Sequence, residues 1–197
     1  GYVEGIMARV FEHEHILQLA KWSSIPVING LSDYNHPCQA MADMLTIQEK
    51  FSDAKGLNIA YIGDGNNVAV SLLHIAVKMG ANFTIASPQN YDLDRAALNI
   101  GKSIAEITGA MIKEVRDPYE AVKFAHVIYT DTWTSMGQED EALEREKVFP
   151  PYQVNSRLVA EANKDVIIMH CLPAHRGQEI TDEVADGPHS VIFLQAH

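Results

Sequence analysis

Short apolar runs that end in small or polar residues are the feature that most constrains the fold of this chain. Four of them are clear, at 57–62, 83–86, 127–129 and 166–169. Continuous apolar runs of this length are typical of strands that are buried on both faces, as in parallel sheets. Helical patterns lie between them, at 68–79, 94–108, 119–125 and 156–163. This alternation predicts an α/β fold, a doubly wound parallel sheet with helices on both faces.

The residues ahead of this sheet show a similar but shorter pattern. Strands are predicted at 6–10 and 26–28 around a helix at 14–22, and a long helix at 37–51 follows. We interpret this region as part of a first domain that resembles the second one. The predicted division is residues 1–52 for the C-terminal part of the first domain, 53–185 for the second domain, and 186–197 for a segment that returns to the first.

Composition limits the classes of partner. The 197 residues include 15 Lys and Arg against 26 Asp and Glu, a net charge of −11, whereas nucleic-acid binders normally carry a basic patch. No apolar run approaches the roughly 20 residues of a transmembrane helix. Cys38 and Cys171 lie far apart, which is typical of reduced thiols in an intracellular protein. We expect no nucleic-acid or membrane partner and a cytoplasmic location, with the mitochondrial matrix left open because the sequence does not begin with Met.

Polar side chains follow three of the predicted strands. Asn66 and Asn67 come after the first strand of the second domain, Asp131 and Ser135 after a later one, and Cys171 after the last. Ligands of open parallel sheets bind at the carboxyl ends of the strands, near the point where strand order reverses. The sequence therefore predicts that these residues share one crevice.

The segment Gly63-Asp64-Gly65-Asn66-Asn67-Val68 is similar in part to a dinucleotide-binding motif. That motif requires a third small residue where Val68 stands and an acidic residue at the end of the next strand, where Ser87 stands. Both requirements fail. The interpretation that remains is a helix N-terminus that presents amide side chains to a polar ligand, with simple helix capping by Asn66 as the alternative.

The segment His36-Pro37-Cys38-Gln39 begins the long helix at 37–51. Proline at the first helical position leaves unpaired backbone N–H groups that can bind an anion, and His36 and Gln39 add side-chain donors. The alternative is an ordinary helix start with Cys38 as a small buried residue, which we favour for Cys38 itself.

Two further segments follow strands. The loop that begins at Asp131 is polar but contains Trp133, expected to be exposed, and Met136; the acidic residues at 139–146 are interpreted as a solvated helix. Cys171, in His170-Cys171-Leu172-Pro173, could serve as nucleophile, base or ligand. Zinc is the alternative, but the two cysteines lack the short spacing of zinc sites. We expect no metal.

Together, these motifs resemble the aspartate/ornithine carbamoyltransferase family over essentially the whole chain. His-Pro-x-Gln is shared by both branches, whereas Asp-Thr-Trp-x-Ser-Met-Gly and His-Cys-Leu-Pro point to the ornithine branch. The resemblance implies two α/β domains, the first binding carbamoyl phosphate and the second L-ornithine, assembled as a homotrimer or a multiple of trimers. It also implies transfer of the carbamoyl group to the δ-amine of ornithine, giving citrulline and phosphate in arginine metabolism, without any cofactor.

The resemblance assigns roles to individual residues. The residues matched to carbamoyl phosphate are Arg9, His36, Gln39, Cys171 and Leu172. The residues matched to ornithine are Asn67, Asp131, Ser135 and Met136. Cys171, Asp131 and His36 match the catalytic positions, and we expect Cys171 to act as a thiolate beside Asp131 that accepts a proton from the amine or selects its neutral form.

Two family segments are not found in the sequence. A Ser-Thr-Arg-Thr phosphate loop would precede residue 1, and a Glu-Asn-Arg would follow Phe193. We expect that the sequence omits residues of a longer protein. The alternatives are a carbamoyltransferase for another amine, such as putrescine or acetylornithine, and a catalytically silent or nucleotide-binding module.

Overall fold

The computed structural model describes residues 1–135 and 137–197, without the side chain of Glu139. Five parallel strands form the main sheet, in the order β5-β4-β3-β6-β7, and two parallel strands form a smaller one. The strands are β1 (Ile6–Arg9), β2 (Val27–Leu31), β3 (Asn58–Ile62), β4 (Asn82–Ala86), β5 (Ile112–Val115), β6 (Val127–Thr130) and β7 (Ile167–His170). The α-helices are α1 (His13–Trp22), α2 (Pro37–Phe51), α3 (Asn67–Lys78), α4 (Arg95–Thr108), α5 (Pro118–Val122), α6 (Ala142–Val148), α7 (Ser156–Val159), α8 (Asp182–Ala185) and α9 (Ile192–Gln195).

Strands β3, β6 and β7 of the main sheet are buried on both faces, as the apolar runs predicted. Ile59 and Tyr61 of β3 face one hydrophobic core, which α2, α3 and α4 complete, while Ala60 and Ile62 face a second core on the other side. Alternate side chains of a strand point to opposite faces, so a strand between two layers of helices must be apolar at every position. The doubly wound α/β fold is confirmed.

Strand order reverses at β3, which lies between β4 and β6. This is the topological switch point at which parallel α/β sheets bind their ligands. The turn after β3 is tight: a Cβ atom on Gly65 would lie 2.4 Å from the backbone of Asp92. Glycine there lets two loops approach each other and places the N-terminus of α3 at the crevice.

The N-terminal residues form a smaller unit beside the crevice. Strands β1 and β2 pair in parallel, with α1 between them in sequence, and α2 packs against α3 of the main unit. At the other end of the chain, α9 also contacts α2, where Gln195 donates a hydrogen bond to Asp43.

Some local predictions were wrong. The edge strand β5 was missed because Lys113 and Glu114 interrupt its apolar pattern, which an edge strand tolerates. Trp133 is only 5% exposed because it packs against Phe149. Cys38, expected to be buried, is exposed, and its thiol donates to the Asn29 carbonyl.

Among the described residues, we found no helix with the length and apolar character required to cross a membrane.

Candidate active site

A cavity of about 550 Å³ lies where the smaller unit meets the carboxyl ends of β3, β6 and β7. It brings together nearly all of the site residues predicted from the sequence: Arg9, His36, Gln39, Asn67, Asp131, Ser135, Cys171 and Leu172. Met136 lies outside the described residues.

Asn66 both caps α3 and organises the cavity wall. Its side-chain oxygen accepts hydrogen bonds from the backbone N–H groups of Val68 and Ala69, both at 3.1 Å, as an N-cap residue does. Its amide nitrogen donates to Asp131 at 2.7 Å and to Ser135 Oγ at 3.3 Å. Simple capping is therefore only half of its role, because the same side chain connects two residues predicted for the site.

Asp131 and Cys171 form the centre of this wall. The Cys171 thiol donates to Asp131 Oδ1 at 3.0 Å, and the backbone N–H of Thr132 donates to the same oxygen at 2.7 Å. Burial and the neighbouring carboxylate raise the pKa of Cys171 well above its ordinary value. The thiolate expected from the sequence is therefore wrong for this state of the chain, in which Cys171 is a thiol that donates to Asp131.

His36 is held at the N-terminus of α2 with one ring nitrogen unpaired. Its backbone N–H donates to Ser71 Oγ at 2.7 Å, while Nδ1 is buried without a partner in the described part of the chain. Burial and the charge of Arg9 lower the pKa of His36, which favours the neutral imidazole. A buried ring nitrogen without a partner is free to bond a ligand.

Arg9 and Asn67 approach the cavity from opposite units. Arg9 ends β1 and forms no ion pair with the described residues, so its charge is available to an anion. Asn67 donates to the carbonyl of Ser32 at 2.7 Å and thereby ties α3 to the loop after β2.

Leu172 has a left-handed backbone conformation, with φ of +59°. This conformation is costly for a residue other than glycine and often occurs at ligand sites. The Leu172 N–H donates to His170 Nδ1 at 2.9 Å, so the turn beside the cavity is held by the strand that it follows.

Asp131, His170 and Cys171 have ligand atoms within 4.8 Å of one another, a cluster that could hold a metal ion. Hydrogen bonds already occupy both ring nitrogens of His170: Nδ1 accepts from Leu172, and Nε2 lies 2.9 Å from buried Glu179. The cluster as it stands is a hydrogen-bonded network, and the expectation of no metal stays a prediction.

Sequence reasoning missed Arg145, which it placed in a solvated acidic helix. Arg145 is 4% exposed and donates to Asp64 Oδ2 at 2.6 Å and to the Trp133 carbonyl at 2.8 Å. Its guanidinium also lies 4.7 Å from the Tyr91 ring centroid. A single arginine thus joins the turn after β3 to the loop that carries Ser135. The sequence feature that could have indicated this role is the position of Arg145 among acidic residues.

Comparisons with known proteins agree with this fold, in which parallel α/β sheets are flanked by helices. Residues 55–197 match the Asp/Orn binding domain, and residues 1–49 the carbamoyl-P binding domain, of aspartate/ornithine carbamoyltransferase. The chain belongs to the aspartate/ornithine carbamoyltransferase family.

Several similar proteins are ornithine carbamoyltransferases. The ornithine carbamoyltransferase of Thermococcus kodakarensis is 55% identical over 99% of this chain and 62% of its own length. The crystal structure of ornithine carbamoyltransferase from Pyrococcus furiosus matches 99% of this chain and 62% of its own, with a TM-score of 0.96 and 52% identity. An N-acetyl-L-ornithine transcarbamylase structure reaches a TM-score of 0.88 at 29% identity, over 99% of this chain and 65% of its own. This chain thus spans about three fifths of the length of these relatives.

Proposed function

We propose that this chain is part of an ornithine carbamoyltransferase. The amine nitrogen of ornithine attacks the carbonyl carbon of carbamoyl phosphate, the C–O bond to phosphate breaks, and citrulline and phosphate form. The observation that carries the proposal is the cavity itself, in which the Asp131–Cys171 pair faces Arg9, His36 and Gln39. One wall of this cavity, with Arg9 and His36, is suited to an anion, and the opposite wall, with Asp131, is suited to an amine.

Carbamoyl phosphate would bind on the side of the smaller unit, residues 1–52 in our division. The charge of Arg9, which forms no ion pair with the described residues, and the N-terminus of α2 suit its phosphate group. A neutral imidazole still carries one N–H donor, and His36 would donate it to the carbonyl oxygen, where negative charge grows during attack. Leu172 and Cys171 would close the carbamoyl pocket from the opposite wall.

Ornithine would bind to the unit at 53–185 through Asn67, Asp131, Ser135 and Met136. An alkyl ammonium has a pKa near 10.4 and cannot attack until it loses a proton. The Asp131 carboxylate would attract the charged amine and receive its proton, while the Cys171 thiol keeps the carboxylate in place. Asp131 is then the acceptor, and Cys171 orients it at the reaction centre.

The proposal extends to the whole protein. We place it in the cytoplasm, in arginine biosynthesis, as a homotrimer or a multiple of trimers in which residues 186–197 return to the first domain. Its support is the family resemblance, the name of a 52% identical relative of Pyrococcus furiosus, "Ornithine carbamoyltransferase, anabolic", and the contact of α9 with α2.

The first prediction concerns the amine. With carbamoyl phosphate as donor and the product of the complete gene as enzyme, we expect kcat/KM for ornithine to exceed that for putrescine or acetylornithine by about 100-fold or more, because each lacks a charge that the ornithine wall would bind. Colorimetric measurement of ureido product gives all three values. A preference for putrescine or acetylornithine would overturn the choice of amine, and no ureido product from any of them would overturn the proposed function.

A further inference from the structure

Asp43 is a buried carboxylate one helical turn after Gln39, and none of the roles above uses it. Its Oδ1 accepts two amide hydrogen bonds, from Gln39 Nε2 at 2.8 Å and from Gln195 Nε2 at 2.6 Å, whereas Oδ2 has no partner among the described residues. The side chain is fully buried. An isolated buried carboxylate is unfavourable, which calls for a reason for its presence beside the cavity.

An ionised carboxylate only accepts hydrogen bonds, whereas an amide side chain both donates and accepts. Asp43 therefore forces each glutamine to present its NH2 group inward and its carbonyl oxygen outward. Gln195 shows this polarity, because its oxygen accepts the backbone N–H of His170 at 3.0 Å. The Gln39 oxygen has no partner in the described part of the chain, and the side chain lines the cavity.

We propose that Asp43 is a positioning residue: it holds the Gln39 carbonyl oxygen toward the cavity, where that oxygen selects the amino group of carbamoyl phosphate over a methyl group of the same size. The inference rests on the proposed function. Acetyl phosphate is the natural probe, since it carries CH3 where carbamoyl phosphate carries NH2. A site that accepts a hydrogen bond from the ligand rejects an analogue without the donor far more strongly than a purely apolar pocket does.

The test compares two affinities in one protein. Calorimetric titration of the complete gene product with fresh carbamoyl phosphate and with acetyl phosphate gives a selectivity ratio at pH 8. In Asp43→Asn the new amide can donate a hydrogen bond to the Gln39 oxygen, so the Gln39 side chain can turn its NH2 group toward the cavity. We therefore expect the selectivity ratio to fall by about 10- to 100-fold, while the affinity for acetyl phosphate stays nearly unchanged. Asp53→Asn makes the same chemical change at an exposed residue and should leave the ratio unchanged.

If Asp43 had a purely structural role, its substitution would lower the affinity for both ligands equally. An unchanged selectivity ratio in folded Asp43→Asn would therefore overturn the inference. If the variant does not fold, the selectivity ratio of the unsubstituted protein, measured at pH 5 and at pH 8, provides the test. Burial raises the pKa of Asp43 to about 6, so protonation at pH 5 should lower the ratio relative to pH 8, and a constant ratio would count against the inference.

The titratable groups around Asp43 are not expected to change the selectivity ratio between pH 5 and pH 8. Asp131, Tyr129 and Cys171 interact with it electrostatically, and the Tyr129 hydroxyl also lowers its pKa by hydrogen bonding. Burial raises the pKa of Tyr129 and of Cys171 well above their ordinary values, so both stay neutral from pH 5 to 8. Asp131, like the nearby Arg9 and His36, faces both ligands alike and cancels in the ratio. If the unsubstituted protein binds neither ligand, the proposed function fails rather than the role of Asp43.

Discussion

Cys171→Ala is expected to lower kcat by about 10²-fold, the lower end of the effect of general acid–base catalysis, because Cys171 orients the proton acceptor Asp131 and does not itself take the proton. The affinity for carbamoyl phosphate is expected to change by less than about threefold. The reason is the position of the thiol. It donates to Asp131 Oδ1 at 3.0 Å, at the wall where we place the amine, and Arg9, His36 and Gln39 are left in place for the phosphate donor. Steady-state kinetics with calorimetric titration of carbamoyl phosphate separate the two effects.

Cys38→Ala is the matched control. Cys38 is exposed and its thiol donates only to a backbone carbonyl, so kcat should stay within about twofold. Cys171→Ser retains a hydroxyl donor to Asp131 and should recover part of the lost turnover if orientation of the carboxylate is what Cys171 supplies. Equal losses of kcat and of carbamoyl phosphate affinity in Cys171→Ala would contradict its placement beside the amine.

Arg145→Met is expected to lower the free energy of unfolding by about 3–5 kcal/mol, the usual effect of removing one member of a buried ion pair. Asp64 would remain in the interior without its cation. Burial already raises the pKa of Asp64 against the opposing charge of Arg145. Urea denaturation at pH 7 measures the loss. The variant should also raise KM for ornithine, because Arg145 holds the Trp133 carbonyl two residues before Ser135.

Arg95→Met provides the control, since Arg95 pairs with Glu114 at 3.0 Å but is 67% exposed. Exposed pairs contribute only about 0–1 kcal/mol. Adding Asp64→Asn to Arg145→Met should restore part of the stability, because the amide has no charge to bury. If the two arginine variants lost equal stability, the buried pair could not be the connection between the turn after β3 and the loop of Ser135.

The sequence predicted those parts of the fold that follow from hydrophobic pattern and from topology. The runs before Gly63, Asp131 and Cys171 marked buried strands, and parallel topology placed their carboxyl ends at one edge. The residues that follow these strands, Asn66, Asn67, Asp131, Ser135 and Cys171, could therefore be assigned to one crevice before their distances were known, whereas Arg9 and Leu172 were assigned only through the family resemblance. The role of Asn66 could not be decided from the sequence, because the same side chain caps α3 and hydrogen-bonds to Asp131 and Ser135.

Features that depend on contacts between distant segments could not be predicted. Arg145 and Asp64 are 81 residues apart, and in the sequence Arg145 looks like one charge of a solvated helix. Asp43 gave no signal either, since a carboxylate in a helix is ordinarily exposed, and Gln195, which shares it, lies 152 residues away. The prediction that Cys171 is a thiolate was wrong for a related reason. The pKa of its thiol depends on burial and on the charge of Asp131, and neither can be read from motif spacing.

Transfer of a labelled carbamoyl group tests the central claim most directly. The product of the complete gene is mixed with 13C-carbamoyl phosphate and ornithine labelled with 15N at the δ position, and the reaction is followed by carbon NMR. We predict that a 13C signal split by coupling to the δ-nitrogen appears as free phosphate is released in equal amount. Folded protein that leaves the carbamoyl phosphate to decompose at its uncatalysed rate, without this coupled signal, would contradict the account.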